Sequence, residues 1–202
     1  MQKHIPILIF GLLTAITFAA AVTIGYSLLP EKFSLLSNWV SDLGNPAINP
    51  EGAKYFNYGC LLTAFFFFQF DLVLCDIKTR SKKRKVLLAI SEVFGVFSAS
   101  AMVGLALFHA GQPTITHYLF ASTVLFFAST FFLGTVYALK RFRILKNLAL
   151  LYILFGIFLA CIIALVAFRQ LLGEWIAVGF VIAYILYFSI ALFVYLLNKK
   201  TL

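Results

Sequence analysis

Six apolar runs, each about the length of a bilayer crossing, take up most of the chain: Ile5–Leu29, Tyr55–Ile77, Val86–Phe108, Ile115–Leu139, Leu148–Phe168 and Trp175–Leu197. A spanning helix needs about 20 mostly apolar residues. None of the runs alternates as a barrel strand does. The expected fold is therefore all-α: a polytopic integral membrane protein of six transmembrane helices, forming one domain over residues 1–202 with no room for a soluble module. Composition removes the alternatives. The chain is 63% hydrophobic and 11% charged, where a soluble domain has about 45–50% and about 25%, and disorder needs the opposite bias. Cys60, Cys75 and Cys161 are an odd number scattered through apolar runs. They read as buried packing and not as a disulfide framework.

The basic residues set the orientation. Thirteen of the sixteen Lys and Arg residues fall on one side: Lys3 before the first run, those from Lys78 to Lys85 between the second and third, those from Lys140 to Lys146 between the fourth and fifth, and Lys199 and Lys200 after the last. Only Lys32, Lys54 and Arg169 fall on the other. The positive-inside rule then puts both termini in the cytoplasm. This distribution accounts for the net charge of +9 without nucleic acid, since short loops pressed on a bilayer read no groove. Their expected partners are anionic lipid headgroups, worth about 1 kcal/mol per basic residue near the surface. The first run begins like a signal peptide, with Lys3 and the small residues Ala19–Ala21. It continues apolar to Leu29, so an uncleaved span is expected.

The one long loop, Pro30–Lys54, lies outside. Leu35, Leu36, Trp39, Val40 and Leu43 share one helical face, and Ser34, Ser37, Asn38, Ser41 and Asp42 share the other. This predicts a short amphipathic helix over 34–43 that lies flat on the bilayer or plugs the bundle mouth, with Trp39 at headgroup level. Gly44, Asn45 and Pro46 stop it. Asn49-Pro50-Glu51 then reads as a helix start, with a cap, a first-position proline and a first-turn carboxylate. The second span should begin about a turn before Tyr55. Small residues mark close helix contacts: Ser91, Gly95 and Ala99 on the third span, with Ser100 and Gly104 on a neighbouring line, and Gly156, Ala160 and Ala164 on the fifth. These place spans three and five toward the interior. Phe65–Phe68 reads as lipid-facing bulk. No internal repeat supports a duplicated transporter fold.

Charge inside a bilayer is expensive and needs a reason. Asp71 lies six residues before the end of the second run and Glu92 six residues into the third, so both sit roughly 9 Å below the cytoplasmic edge. Consecutive antiparallel helices could bring these carboxyls together, where they could hold one proton between them. The plainer reading has them hydrogen-bonded in place or paired with snorkelling Lys and Arg. On the outer side, His109 ends the third span and His117 opens the fourth. Ser41 and Asp42 come from the loop helix, and Asn57 from the first turns of span two. Asp42, His109 and His117 are chemically sufficient as three zinc ligands, although no metal-ligand spacing pattern accompanies them. Otherwise the group is a polar network closing the bundle, or a site for a lipid headgroup or substrate. A carboxylate beside imidazole favours imidazolium, which suits phosphate, whereas neutral imidazole suits a metal.

The order of short motifs resembles a known family. Ser41-Asp42-Leu43-Gly44 follows span one, then come Asn49-Pro50-Glu51 and Phe56-Asn57-Tyr58-Gly59. The stretch Val103-Gly104-Leu105-Ala106-Leu107-Phe108-His109 follows, and then Thr116-His117. Over roughly residues 5–195 this is similar to the six-helix Frag/DRAM/Sfk superfamily, and most to its prokaryotic branch, the domain of unknown function 998 (DUF998). The resemblance implies six helices, cytoplasmic termini and a prokaryotic cell membrane. Eukaryotic relatives are associated with glycolipid-anchor remodelling, phospholipid distribution and autophagy. The positions it carries over are Ser41, Asp42, Gly44, Phe56, Asn57, Gly59, His109 and His117.

These readings converge on an outer pocket roofed by the 34–43 helix and lined by Ser41, Asp42, Asn57, His109 and His117, engaging a lipid or another amphipathic molecule. No cofactor is expected for that role. A metal-dependent hydrolase or transferase acting on lipid would need zinc, or a nucleophile such as Ser41 beside His109 or His117. A proton-coupled carrier would use Asp71 and Glu92. Membrane lipids are the expected partners, and a homo-oligomer is left open.

Overall fold

The computed structural model describes residues 5–29, 38–75, 82–108 and 171–198. Its four long helices, numbered in chain order, are α1 (Ile5–Ser27), α2 (Ala53–Cys75), α3 (Lys82–Leu107) and α4 (Leu171–Asn198). A five-residue 3₁₀ helix, Val40–Gly44, lies between α1 and α2. All four long helices contain stretches long and apolar enough to cross a bilayer, the architecture of a multi-pass helical membrane protein. The apolar runs 115–139 and 148–168 lie outside the described residues.

α1 packs along both α2 and α4, and α2 along α3. Small residues permit these contacts. A Cβ at Gly11 of α1 would overlap Ser189 of α4, and one at Gly59 of α2 would overlap Ala21 of α1. Between α1 and α2 the Thr17 and Thr63 hydroxyl oxygens stand 3.1 Å apart. Each hydroxyl also bonds a carbonyl of its own helix, at Leu13 and Gly59, so neither polar group is stranded in hydrocarbon.

Two apolar clusters fill the bundle. One gathers Ile7, Phe67, Phe70, Leu74, Ile185, Phe188 and Leu192, with the Phe70 and Phe188 rings edge to face at 6.2 Å. The other lies under the 3₁₀ turn and gathers Ala21, Val40, Leu43, Phe56, Cys60 and Ala106. The buried stripe of α2 explains how its phenylalanines divide. Thr63, Ala64, Phe67, Phe70, Asp71 and Leu74 recur at steps of one, three and four, the spacing of one helical face. Phe67 is thus 5% exposed while Phe65 is 54% exposed. The expectation that Phe65–Phe68 faces lipid is corrected at Phe67, which belongs to the core. On α3, Ser91, Gly95, Ala99 and Gly104 are buried as the small-residue pattern requires, but Ser100 faces outward. α3 begins four residues before its apolar run because Lys and Arg are good helix formers that carry the helix past it.

Candidate functional site

The loop between α1 and α2 is held by side chains at both ends. Trp39 is extended (φ −76°, ψ 154°) and caps the 3₁₀ turn. The Asp42 carboxylate accepts from the Trp39 amide at 2.9 Å and from Asn38 Nδ2 at 3.5 Å. Glu174, in the first turn of α4, accepts from the Val40 amide at 2.7 Å and also bonds the Ser41 amide. The Trp175 indole donates to the Asn38 carbonyl at 3.0 Å. Helix N-termini leave amides without intrahelical partners, and here two carboxylates take them up. With its backbone satisfied, the turn drives Val40 and Leu43 into the core, 2% and 0% exposed. The described part of the amphipathic segment therefore plugs the bundle mouth. That part is Asn38, Trp39 and the short Val40–Gly44 turn, and residues 30–37 lie outside the described residues.

Asparagines fasten the other end. Asn45 accepts from the Ala47 amide at 3.0 Å, and Asn57 Nδ2 donates to the Gly44 carbonyl at 3.0 Å. Asn57 Oδ1 is buried without a hydrogen-bond partner among the described residues. Asn49 is wholly buried. Its Nδ2 donates to the Gly25 carbonyl at 2.9 Å and the Leu43 carbonyl at 3.0 Å, and its Oδ1 accepts from the Gly52 amide at 3.0 Å. The cap expected at Asn49 is thus present, although the helix proper starts at Ala53 after an intervening turn.

Beneath the turn is a cavity of ≈ 100 Å³. Phe18, Phe67, Met102 and Ile182 bring one wall from each described helix, and Ser41 and Glu174 stand at the roof. The Thr14 and Thr63 hydroxyls on its walls are already bonded within their own helices, so the walls are effectively apolar. The space is somewhat smaller than the apolar cavities of about 150 Å³ that admit a benzene-sized guest. It suits hydrocarbon with a polar group at the roof.

At the far end of the bundle Asp71 is 1% exposed. Neither of its carboxyl oxygens has a hydrogen-bond partner among the described residues, and neither has Glu92 Oε1. Glu92 is the charged group facing Asp71, and it lies against Cys75. The Asp71 carboxyl rests on Gly95 of α3, where a Cβ would stand 2.7 Å from Oδ1.

The structure gathers Ser41, Asp42 and Asn57 about one turn and places Asp71 beside Glu92. His109 and His117 lie outside the described residues, and with them the convergence of imidazoles on Asp42. Among the described residues no group of three His, Cys, Asp or Glu could hold a metal. Sequence reasoning missed Glu174 and Trp175. Their signal was present, since Glu174 is the single acidic residue after Glu92 and stands beside an interfacial tryptophan.

A family model described as a protein of unknown function, DUF998, matches residues 12–197. The chain belongs to this family. No curated protein and no solved structure matches it. The DUF998 match covers every residue named at the mouth, the cavity and the acidic pair.

Proposed function

We propose that this DUF998 protein binds a lipid or another amphipathic molecule, with its apolar part in the cavity and its polar part at the mouth. The carrying observation is the cavity itself, apolar on its walls and roofed by Ser41 and Glu174. Ser41 lines the roof, Asp42 and Asn57 bond the backbone at the two ends of the same turn, and His109 and His117 are expected there from the sequence. The proposal extends to six spans, cytoplasmic termini and a prokaryotic cell membrane. For the six spans the support is parity, and for the termini it is the basic residues of the cytoplasmic loops. Ala106 near the end of α3 and Trp175 at the start of α4 pack on the same cluster, so any crossings between them are even in number, and two apolar runs are available. Kinship with the Frag/DRAM/Sfk superfamily is part of the same reading. Binding needs no cofactor, and basic residues at the cytoplasmic face attract anionic headgroups.

The test is lipid retention. Native mass spectrometry of the purified protein should show bound lipid, reduced in the cavity-filling variant Ala15→Phe and in His109→Ala and His117→Ala. Unchanged lipid in all three folded variants removes the proposal. Zinc near one equivalent, lost with either histidine, would instead support the metal-dependent hydrolase.

A further inference from the structure

We propose that Asp71 and Glu92 form a binding site for one monovalent cation, a proton or a sodium ion, at the end of the bundle away from the Val40–Gly44 turn. Ionisable groups within a membrane bundle pair with opposite charge or serve a transported or bound ion. Pairing is not found among the described residues. Three buried carboxyl oxygens there, both of Asp71 and Oε1 of Glu92, have no hydrogen-bond partner among the described residues. On α3, Lys82, Lys83 and Lys85 are exposed and Arg84 is half-buried, and none of them is a charge acting on Asp71 or Glu92. α1 carries no acidic, basic or histidine residue. On α4, Glu174 is held at the opposite end by Val40, Tyr184 stacks on Phe188, and Tyr187 is exposed. Among the described residues the remaining titratable neighbour is Cys75, whose thiol lies 3.6 Å from the Asp71 backbone carbonyl and hydrogen-bonds the Glu92 carboxyl, leaving Glu92 Oε1 and both Asp71 oxygens without a partner there.

Two facing carboxyls without a countercharge repel, and one positive charge between them removes both the repulsion and the unmet hydrogen-bonding capacity. The backbone makes room for this. Gly95 has no Cβ where the Asp71 carboxyl lies. One turn along the same face, Ser91 donates its hydroxyl proton to the Leu87 carbonyl at 2.8 Å, so its oxygen has only lone pairs left to offer. Oxygens without donors are the surroundings a small hard cation takes.

Infrared difference spectra of the full-length protein in lipid films test the site. One series steps pH at constant sodium, and the other steps sodium at constant pH. A carboxyl signal is expected that Asp71→Asn abolishes and Glu92→Gln at least halves. A response to pH alone identifies the proton, a response to sodium alone identifies the sodium ion, and a response to both identifies competition for one site. No carboxyl response in either series, or a response retained in full by both variants, overturns the proposal. Should Asp71→Asn fail to fold, Glu92→Gln at its half-buried position decides the matter alone.

Discussion

Replacing Asn49 by alanine should be among the most damaging changes to the loop, although the residue touches no expected ligand. Its amide joins three backbone groups: the Gly25 carbonyl in the last turn of α1, the Leu43 carbonyl in the 3₁₀ turn and the Gly52 amide before α2. A net hydrogen bond contributes about 1 kcal/mol, and a buried group left unpaired costs about 1–3 kcal/mol. Three bonds lost at a site with no solvent exposure put the destabilisation near 3 kcal/mol on the first figure alone. Asn49→Asp sharpens the test. It keeps the acceptor toward Gly52 but sets carboxylate oxygens against two carbonyls, so it should be at least as harmful as alanine. The two tryptophans, Trp39 and Trp175, both lie at this mouth, and their fluorescence during denaturant titration in mixed micelles reports its opening. If both variants unfold within about 1 kcal/mol of the parent, roughly the worth of a single bond, the stapling argument is wrong.

Glu174→Ala should destabilise the mouth by about 1 kcal/mol for each hydrogen bond removed, and Glu174→Gln by less, since the amide oxygen can still accept from Val40; the same fluorescence titration would show no ordering of the two if the contact carried no energy. Gly11→Val should force α1 away from Ser189 and cost about 1–3 kcal/mol of overpacking, measurable as a lower thermal midpoint, while Ile16→Val on the exposed face of α1 should leave that midpoint in place. In a background without native cysteines, single cysteines at Ser81 and Ala47 should react with impermeant reagents from opposite sides of the membrane. Reaction from one side would sink the expected topology.

Much of the frame was legible because the bilayer leaves few alternatives. The apolar runs give α1 its start at Ile5, and Asn49-Pro50-Glu51 places the start of α2 ahead of Tyr55. The cost of charge in hydrocarbon argues for an inward Asp71, which is buried. Helical periodicity also separates Phe67 from Phe65, since two positions along a helix lie on nearly opposite faces. What escaped the sequence is long-range. An asparagine before a proline signals a cap, but nothing local shows that its amide also reaches the Gly25 carbonyl 24 residues away. Nor does an apolar run starting at Trp175 reveal that the preceding glutamate completes a turn in the first loop. The described part of the 34–43 amphipathic pattern has Val40 and Leu43 inward as expected, but it closes in 3₁₀ form because carboxylates from Asp42 and Glu174 hold its first amides.

The bond between Glu174 and Val40 joins residues 134 apart, whereas Asn49 and Gly25 are only 24 apart. At about 5–20 residues per second of synthesis, the first interval is on the order of ten seconds. The α1–α2 hairpin can therefore fasten itself long before the segment that seals its mouth exists. Through that interval the amides of Val40 and Ser41 have only water to meet them. The vestibule stands open during synthesis until α4 emerges to close it.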